Sequence, residues 1–129
     1  MKKVLIINSN YYKLISDNLA NNAVRKLTLA NFSISQIDVP GVFEIPITIR
    51  KNIKKFDGFI ALGCVIKGQT PHFEFISQAS TDAIMKLAVN SKKPIGNGII
   101  TCLNMKQAIV RKKKGREAAQ AVMSVLSQK

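Results

Sequence analysis

One histidine, two cysteines and 7 acidic residues are all that this sequence of 129 residues offers toward metal, disulfide or carboxylate chemistry. A zinc site takes about four ligands, commonly in short-spaced pairs. His72 with the widely separated Cys64 and Cys102 does not supply that pattern. Each cysteine sits inside an apolar run, which predicts buried, reduced thiols and a cytoplasmic setting in place of a disulfide framework. Asp38 and Asp57 fall short of the carboxylate cluster that a metal-dependent, receiver-like signalling domain holds at its strand ends. No apolar run approaches the roughly 18 residues of a membrane span. The opening Met1-Lys2-Lys3 has the charge of a signal peptide, but the apolar stretch behind it is too short, so a first strand is expected there.

Positive charge is abundant. The 20 Lys and Arg residues leave a net charge of +13. Such a surplus suits an anionic partner, either a nucleic acid or a phosphorylated small molecule, or simply a solvated basic surface. Arg111, Lys112, Lys113, Lys114 and Arg116 form the one dense cluster. A basic nucleic-acid-binding α/β domain is the alternative reading. It calls for aromatic residues interleaved with the cations, and aromatics make up only 6% of the chain. The expectation is therefore no nucleic acid, no membrane and a small-molecule substrate.

The 47% apolar content suits one globular domain over residues 1–129. Residues 4–8 form a short aliphatic run, the mark of a strand buried on both faces. Ile15, Leu19, Ala23 and Leu27 then recur at helical spacing within 12–30. A second strand is expected over 32–39, stopped by Pro40-Gly41. Ile45, Ile49 and Ile53 predict a second helix that tolerates Pro46 in its first turn. The most hydrophobic run, 59–66, is the expected central strand. Thr70-Pro71 opens a third helix with a core stripe of Phe73, Ile76, Ser80, Ala83, Ile84 and Leu87. A fourth strand covers 95–103, and Asn104 with Gln107 matches a capping box. A last helix runs through Ala118, Val122, Val125 and Leu126. The order βαβαβαβαα implies an α/β three-layer sandwich: a four-stranded parallel sheet with helices on both faces.

In such sheets, sites gather at the carboxyl ends of strands. Beyond the third strand lies Gly68-Gln69-Thr70-Pro71-His72. A glycine turn, a capping threonine and a proline at the first helical position leave free N–H groups at a helix start, either a ready anion site or merely a well-capped helix. The helix dipole favours neutral imidazole at His72 and a bound phosphate favours imidazolium, a balance suited to proton transfer. Glu44 stands among apolar residues after Pro40-Gly41, placed to accept hydrogen bonds from a polyhydroxylated ligand or to serve as a helix-start acid. Tyr11, after the first strand, is able to stack on a flat heterocycle or to pack beneath its loop. Arg111 closes the short helix opened at Asn104 and is long enough to grip a phosphate bidentately.

These pieces, in this order, resemble the lumazine synthases. The matching stretches are Val39-Pro40-Gly41-Val42-Phe43-Glu44-Ile45-Pro46, the run from Leu62 through Gly68-Gln69-Thr70-Pro71-His72-Phe73, Pro94-Ile95-Gly96-Asn97-Gly98-Ile99-Ile100-Thr101, and Gln107-Ala108-Ile109-Val110-Arg111. The resemblance implies a flavodoxin-like fold and a condensation without metal or organic cofactor. In it, a ribityl-substituted diaminouracil joins dihydroxybutanone phosphate and releases phosphate. It further implies that Tyr11 stacks on the pyrimidine and that Val42, Phe43 and Glu44 surround the pyrimidine and ribityl chain. Cys64, Val65 and Ile66 would contact the heterocycle, Gln69 and Thr70 would bind phosphate, and His72 would transfer a proton. Asn97 and Arg111 fall on positions that the family supplies from a neighbouring subunit, so a homo-oligomer built of pentamers is implied. Three features depart from the family. The first strand begins at Val4 without the longer segment many relatives carry, Tyr11 replaces the usual phenylalanine or tryptophan, and the stretch between Arg111 and Gly115 is short. Lys114-Gly115 stands where the family's lysine-glycine pair is expected.

Overall fold

The computed structural model describes residues 1–68 and 73–128. The chain runs β1 (Lys3–Ser9), α1 (Lys13–Leu29), β2 (Ser33–Val39), a 3₁₀ turn (Val42–Glu44), α2 (Ile45–Lys51), β3 (Gly58–Ile66), α3 (Phe73–Ser91), β4 (Ile95–Cys102), α4 (Met105–Val110) and α5 (Lys114–Leu126). The strands form one parallel sheet in the order β2-β1-β3-β4. This is the α/β, flavodoxin-like arrangement expected from the alternation of apolar strands and amphipathic helices.

Burial explains the order. All nine residues of β3 are buried, as are the six from Val4 to Ser9 in β1. Strands without a polar face have to lie between two helical layers. Val4, Ile6, Ile60, Leu62, Cys64 and Ile66 pack on one face against residues of α1, α4 and α5. Leu5, Ile7, Phe59, Ala61 and Val65 pack on the other against α2 and α3. By contrast β2 is an edge strand, with Ser35, Gln36, Ile37 and Asp38 exposed. Its serines and glutamine already set it apart from the aliphatic runs of β1 and β3.

Small differences from the sequence reading have local causes. The second helix stops at Lys51, and Ile53, two residues beyond it, still packs on the core. The fourth strand ends at Cys102, which leaves Leu103 exposed. On α5 the buried positions are Gly115, Ala118, Ala119 and Val122, while Val125 is 43% exposed. The third helix presents Ser80 and Ile84 as its buried residues. Phe73, Ile76 and Leu87 are half-covered, and Ala83 faces a groove.

The position of α5 depends on two glycines. A side chain at Gly115 would run into the carbonyl oxygen of Leu19 on α1, and one at Gly96 would meet the carbonyl oxygen of Ala118. Backbone thus touches backbone at the α1–α5 crossing and again between β4 and α5. A methyl group at either point forces whole elements apart. Gly115→Ala should therefore lower stability by about 3 kcal/mol, the upper end for overpacking a tight site. Chemical denaturation measures this, and a loss under about 0.5 kcal/mol, the range of neutral surface changes, would show the crossing to be loose.

Cys64 and Cys102 are both free and buried, and both belong to the cluster beneath α1 and α5. Burial, reinforced by the neighbouring Cys102, pushes the Cys64 thiol up to about 12. A thiol raised in this way stays protonated and unreactive in the fold. Native protein at pH 8 should leave Cys64 unmodified by iodoacetamide and expose it on denaturation. Because the folded value lies above the ordinary 9.0, this group's contribution to stability is intact below pH 9 and is lost as pH rises toward 12. Fast labelling of Cys64 in the native state would contradict both expectations.

Candidate active site

Because the sheet is parallel, Ser9, Val39, Ile66 and Cys102 end their strands at a common edge. The exits of β1 and β2 are tied together by Asn10, whose N–H donates to the carbonyl of Val39 at 2.9 Å. Tyr11 follows, 65% exposed, its ring edge-on to Tyr12 with centroids 4.9 Å apart. It presents a face to solvent at the mouth of the edge and does not pack beneath the loop.

Pro40-Gly41 turns β2 into the 3₁₀ turn. There Val42 is buried, Phe43 is 72% exposed and Glu44 is half-buried. The turn is closed by the Glu44 N–H donating to the Gly41 carbonyl at 3.2 Å. The carbonyl of Glu44 accepts the Thr48 hydroxyl at 2.8 Å. The carboxylate itself curls over Gly41, since Oε1 lies 3.0 Å from where a side-chain carbon at that position would stand. A groove of about 440 Å³ opens beside it, walled by Phe43, Pro46, Ile47 and Ile76, with Glu44 as its only charged group among the described residues. An apolar cleft with one oriented acceptor suits a largely apolar ligand that carries hydroxyl groups.

The end of β3 supplies less side chain than expected. Cys64, Val65 and Ile66 are all buried. Alternation turns Val65 toward the face of Val42 and α2, while Cys64 and Ile66 turn toward α1 and α5. Beyond them, the Lys67 N–H donates to the Cys102 carbonyl at 2.9 Å and Gly68 takes a φ of 84°. Glycine adopts that left-handed turn without the steric cost a side chain brings. Gln69, Thr70 and His72, and with them the expected anion turn, lie outside the described residues.

Asn97 and Arg111 stand elsewhere. Asn97 pairs with Ala61 well inside β4, and its Oδ1 accepts the Ile99 N–H at 3.1 Å. Arg111 caps the end of α4, exposed, with Nη1 donating to the Thr101 carbonyl at 3.2 Å. The helix is started by Asn104, whose Oδ1 accepts the Gln107 N–H at 2.9 Å. Gln107 Oε1 returns a bond to the N–H of Leu103, one residue earlier than in a strict capping box. Arg111, Lys113, Lys114 and Arg116 line a second groove of about 950 Å³ beside Ile99–Thr101, numbered 99–101 in β4. Glu44 belongs to the turn that packs through Val42 beside Gly63 of β3, whereas Arg111 closes the helix that follows β4.

Two polar residues escaped the sequence reading. Asn8 and Ser9 are fully buried at the end of β1, and among the described residues Asn8 Nδ2, Asn8 Oδ1 and Ser9 Oγ have no hydrogen-bond partner. Ser9 lies beside Val42, both crowding the space above Gly63. Two consecutive polar residues closing an otherwise aliphatic strand were the available signal. Among the described residues no three His, Cys, Asp or Glu side chains cluster as metal ligands.

The comparisons agree with this geometry. The family model for 6,7-dimethyl-8-ribityllumazine synthase matches residues 1–129. A protein of that name from Bartonella tribocorum is 42% identical over 134 residues, spanning 98% of this chain and 89% of the relative. Its counterpart from Bartonella henselae is 43% identical, over 98% of this chain and 87% of the relative. One from Rhodopseudomonas palustris is 40% identical, over 96% and 83%. The motif at 39–46 and the described residues 62–68 of the second motif flank one sheet edge, and the match runs the length of the chain: it belongs to the 6,7-dimethyl-8-ribityllumazine synthase family.

Proposed function

We propose that the protein condenses 5-amino-6-(D-ribitylamino)uracil with 3,4-dihydroxy-2-butanone 4-phosphate to give 6,7-dimethyl-8-ribityllumazine and inorganic phosphate, a transferase step of riboflavin biosynthesis. The observation that carries this reading is the full-length family match. The exposed Tyr11 and the Glu44 groove at the carboxyl edge agree with it.

In this reading the pyrimidine stacks on Tyr11 and the ribityl chain lies along Val42 and Phe43 with its hydroxyls on Glu44. Val65 supplies an apolar contact, and Cys64 and Ile66 contribute through their backbone. The aromatic amine attacks the ketone to form an imine with loss of water. His72 removes the carbon-bound proton as phosphate departs, held by Gln69, Thr70 and Arg111. Ring closure with loss of a second water completes the product. Fixing the leaving phosphate beside the base is what makes elimination fast, because both partners arrive already oriented.

Arg111 and Asn97 belong to β4 and the helix that follows it, at one border of the sheet. A homo-oligomer in which one copy's β4 edge meets the next copy's Glu44 groove supports their use, and the pentamer of the resemblance satisfies it. The buried free cysteines support a reducing, cytoplasmic setting.

Mixing purified protein with both substrates should produce the lumazine chromophore well above the uncatalysed rate; no increase would remove the proposal. His72→Ala should slow turnover about 10²-fold with an unchanged unfolding curve, the scale of a lost proton-transfer group. Equal rates would clear His72 of that role. Arg111→Ala should raise KM for the phosphorylated substrate by about tenfold or more, the loss of a charged hydrogen bond worth ~1.5–3 kcal/mol. A rise confined to the pyrimidine would reassign it.

A further inference from the structure

The charge of +13 is unevenly placed. Segments 1–3, 25–33, 50–58 and 91–94 come together at the amino-terminal edge of the sheet, opposite the candidate site. Three bonds fix this: Ser33 N–H to the Lys2 carbonyl at 2.9 Å, Asp57 N–H to the Lys3 carbonyl at 2.8 Å, and Phe59 N–H to the Pro94 carbonyl at 3.0 Å. These segments hold ten of the 20 Lys and Arg residues but only one of the 7 acids, Asp57.

Their cations reach solvent from every element that ends there. Lys2 and Lys3 lead into β1, and Arg25 stands one turn before the end of α1; all three are exposed. Arg50 and Lys51 close α2, with Lys54 and Lys55 in the following turn and Lys92 after α3, all exposed. Asp57 already accepts the Lys3 backbone N–H at 2.8 Å. Among the described residues, no cation of this face has an acid within ion-pair distance.

Helix dipoles explain a part. Cations are favourable at helix C-termini, as Arg50 and Lys51 are in α2, while Lys93 is held by the loop beyond that helix, its Nζ donating to the carbonyls of Ile53 at 2.6 Å and Phe56 at 2.9 Å. The exposed cations make no such bond among the described residues. Their mutual repulsion is therefore left to be relieved by an anion with many closely spaced charges.

We propose, against the sequence expectation of no nucleic-acid partner, that this amino-edge face binds the phosphate backbone of a nucleic acid duplex without selecting sequence. A duplex carries about one charge per 1.7 Å of axis, so a face of dispersed cations neutralises several phosphates at once. Base stacking relies on exposed aromatic side chains. The exposed Tyr11, Phe43 and Phe75 all sit by the opposite edge of the sheet. The proposal does not depend on the enzymatic reading.

The test is fluorescence anisotropy of a labelled mixed-sequence DNA duplex across a salt series. The unaltered protein should bind with an affinity that falls steeply as salt rises. Replacing Lys51→Glu, Lys54→Glu and Lys55→Glu together should weaken binding at least tenfold and flatten the log–log salt slope by about 2–3, the number of phosphate contacts removed. The milder Lys2→Gln, Arg25→Gln and Lys92→Gln set covers the case that charge reversal impairs folding, which thermal unfolding reports. A Lys106→Glu, Lys112→Glu control at the opposite edge should bind as the unaltered protein does. No salt-sensitive binding would overturn the proposal, as would equal weakening in the control. Capture by anionic phospholipid vesicles in the absence of duplex binding would also overturn it, in favour of a membrane surface.

Discussion

Everything in this molecule is arranged around a strand with no surface. The nine residues of β3 are buried without exception, so both faces of the sheet must be covered by helices and every connection must pass over an edge. That single constraint makes the sheet parallel and brings the exits of β1, β2 and β3 to one edge. It leaves the αβ connections to gather at the other. The chemistry expected from the family and the proposed polyanion face thus occupy opposite ends for the same reason.

The open side of β4 illustrates how one residue answers two demands. An edge strand exposes backbone groups that invite pairing with another chain. Here Asn97 takes the Ile99 N–H, Arg111 the Thr101 carbonyl and Gln107 the Leu103 N–H. Side chains therefore blunt the edge, and two of them are residues the family resemblance assigns to a neighbour's site. Occupying an edge with groups that can turn to a ligand keeps it from uncontrolled pairing while holding the ligands in reserve. The tight contact of Gly96 and Gly115 with their neighbours' backbones holds α5 against this edge, and with it the short connection that carries Lys113 and Lys114.

Charge follows the same polarity. Asp38 near the end of β2, Glu44 in the turn after it and Glu74 in the first turn of α3 stand toward the site edge. The opposite edge has Asp57 alone. In sequence the basic residues look dispersed, because each αβ connection contributes only two or four. The sheet sums them.

The amino-acid sequence by itself determined the element order, the parallel sheet and the family. Aliphatic runs such as 4–7 and 59–62, punctuated by Pro40-Gly41 and Asp57-Gly58, are local signals, and motif residues such as Phe43-Glu44 and Arg111 are read in place. Tertiary structure alone decided which of these groups share a surface. It turned Cys64 and Ile66 away from Val42, since strand alternation sends neighbours to opposite faces. It buried Asn8 and Ser9 at the site edge, exposed Val125, and set Asn97 and Arg111 at the border strand β4. It also collected scattered lysines into one face. Periodicity and caps are properties of neighbours along the chain, whereas adjacency across the sheet depends on strand order and register, which contacts between distant residues fix.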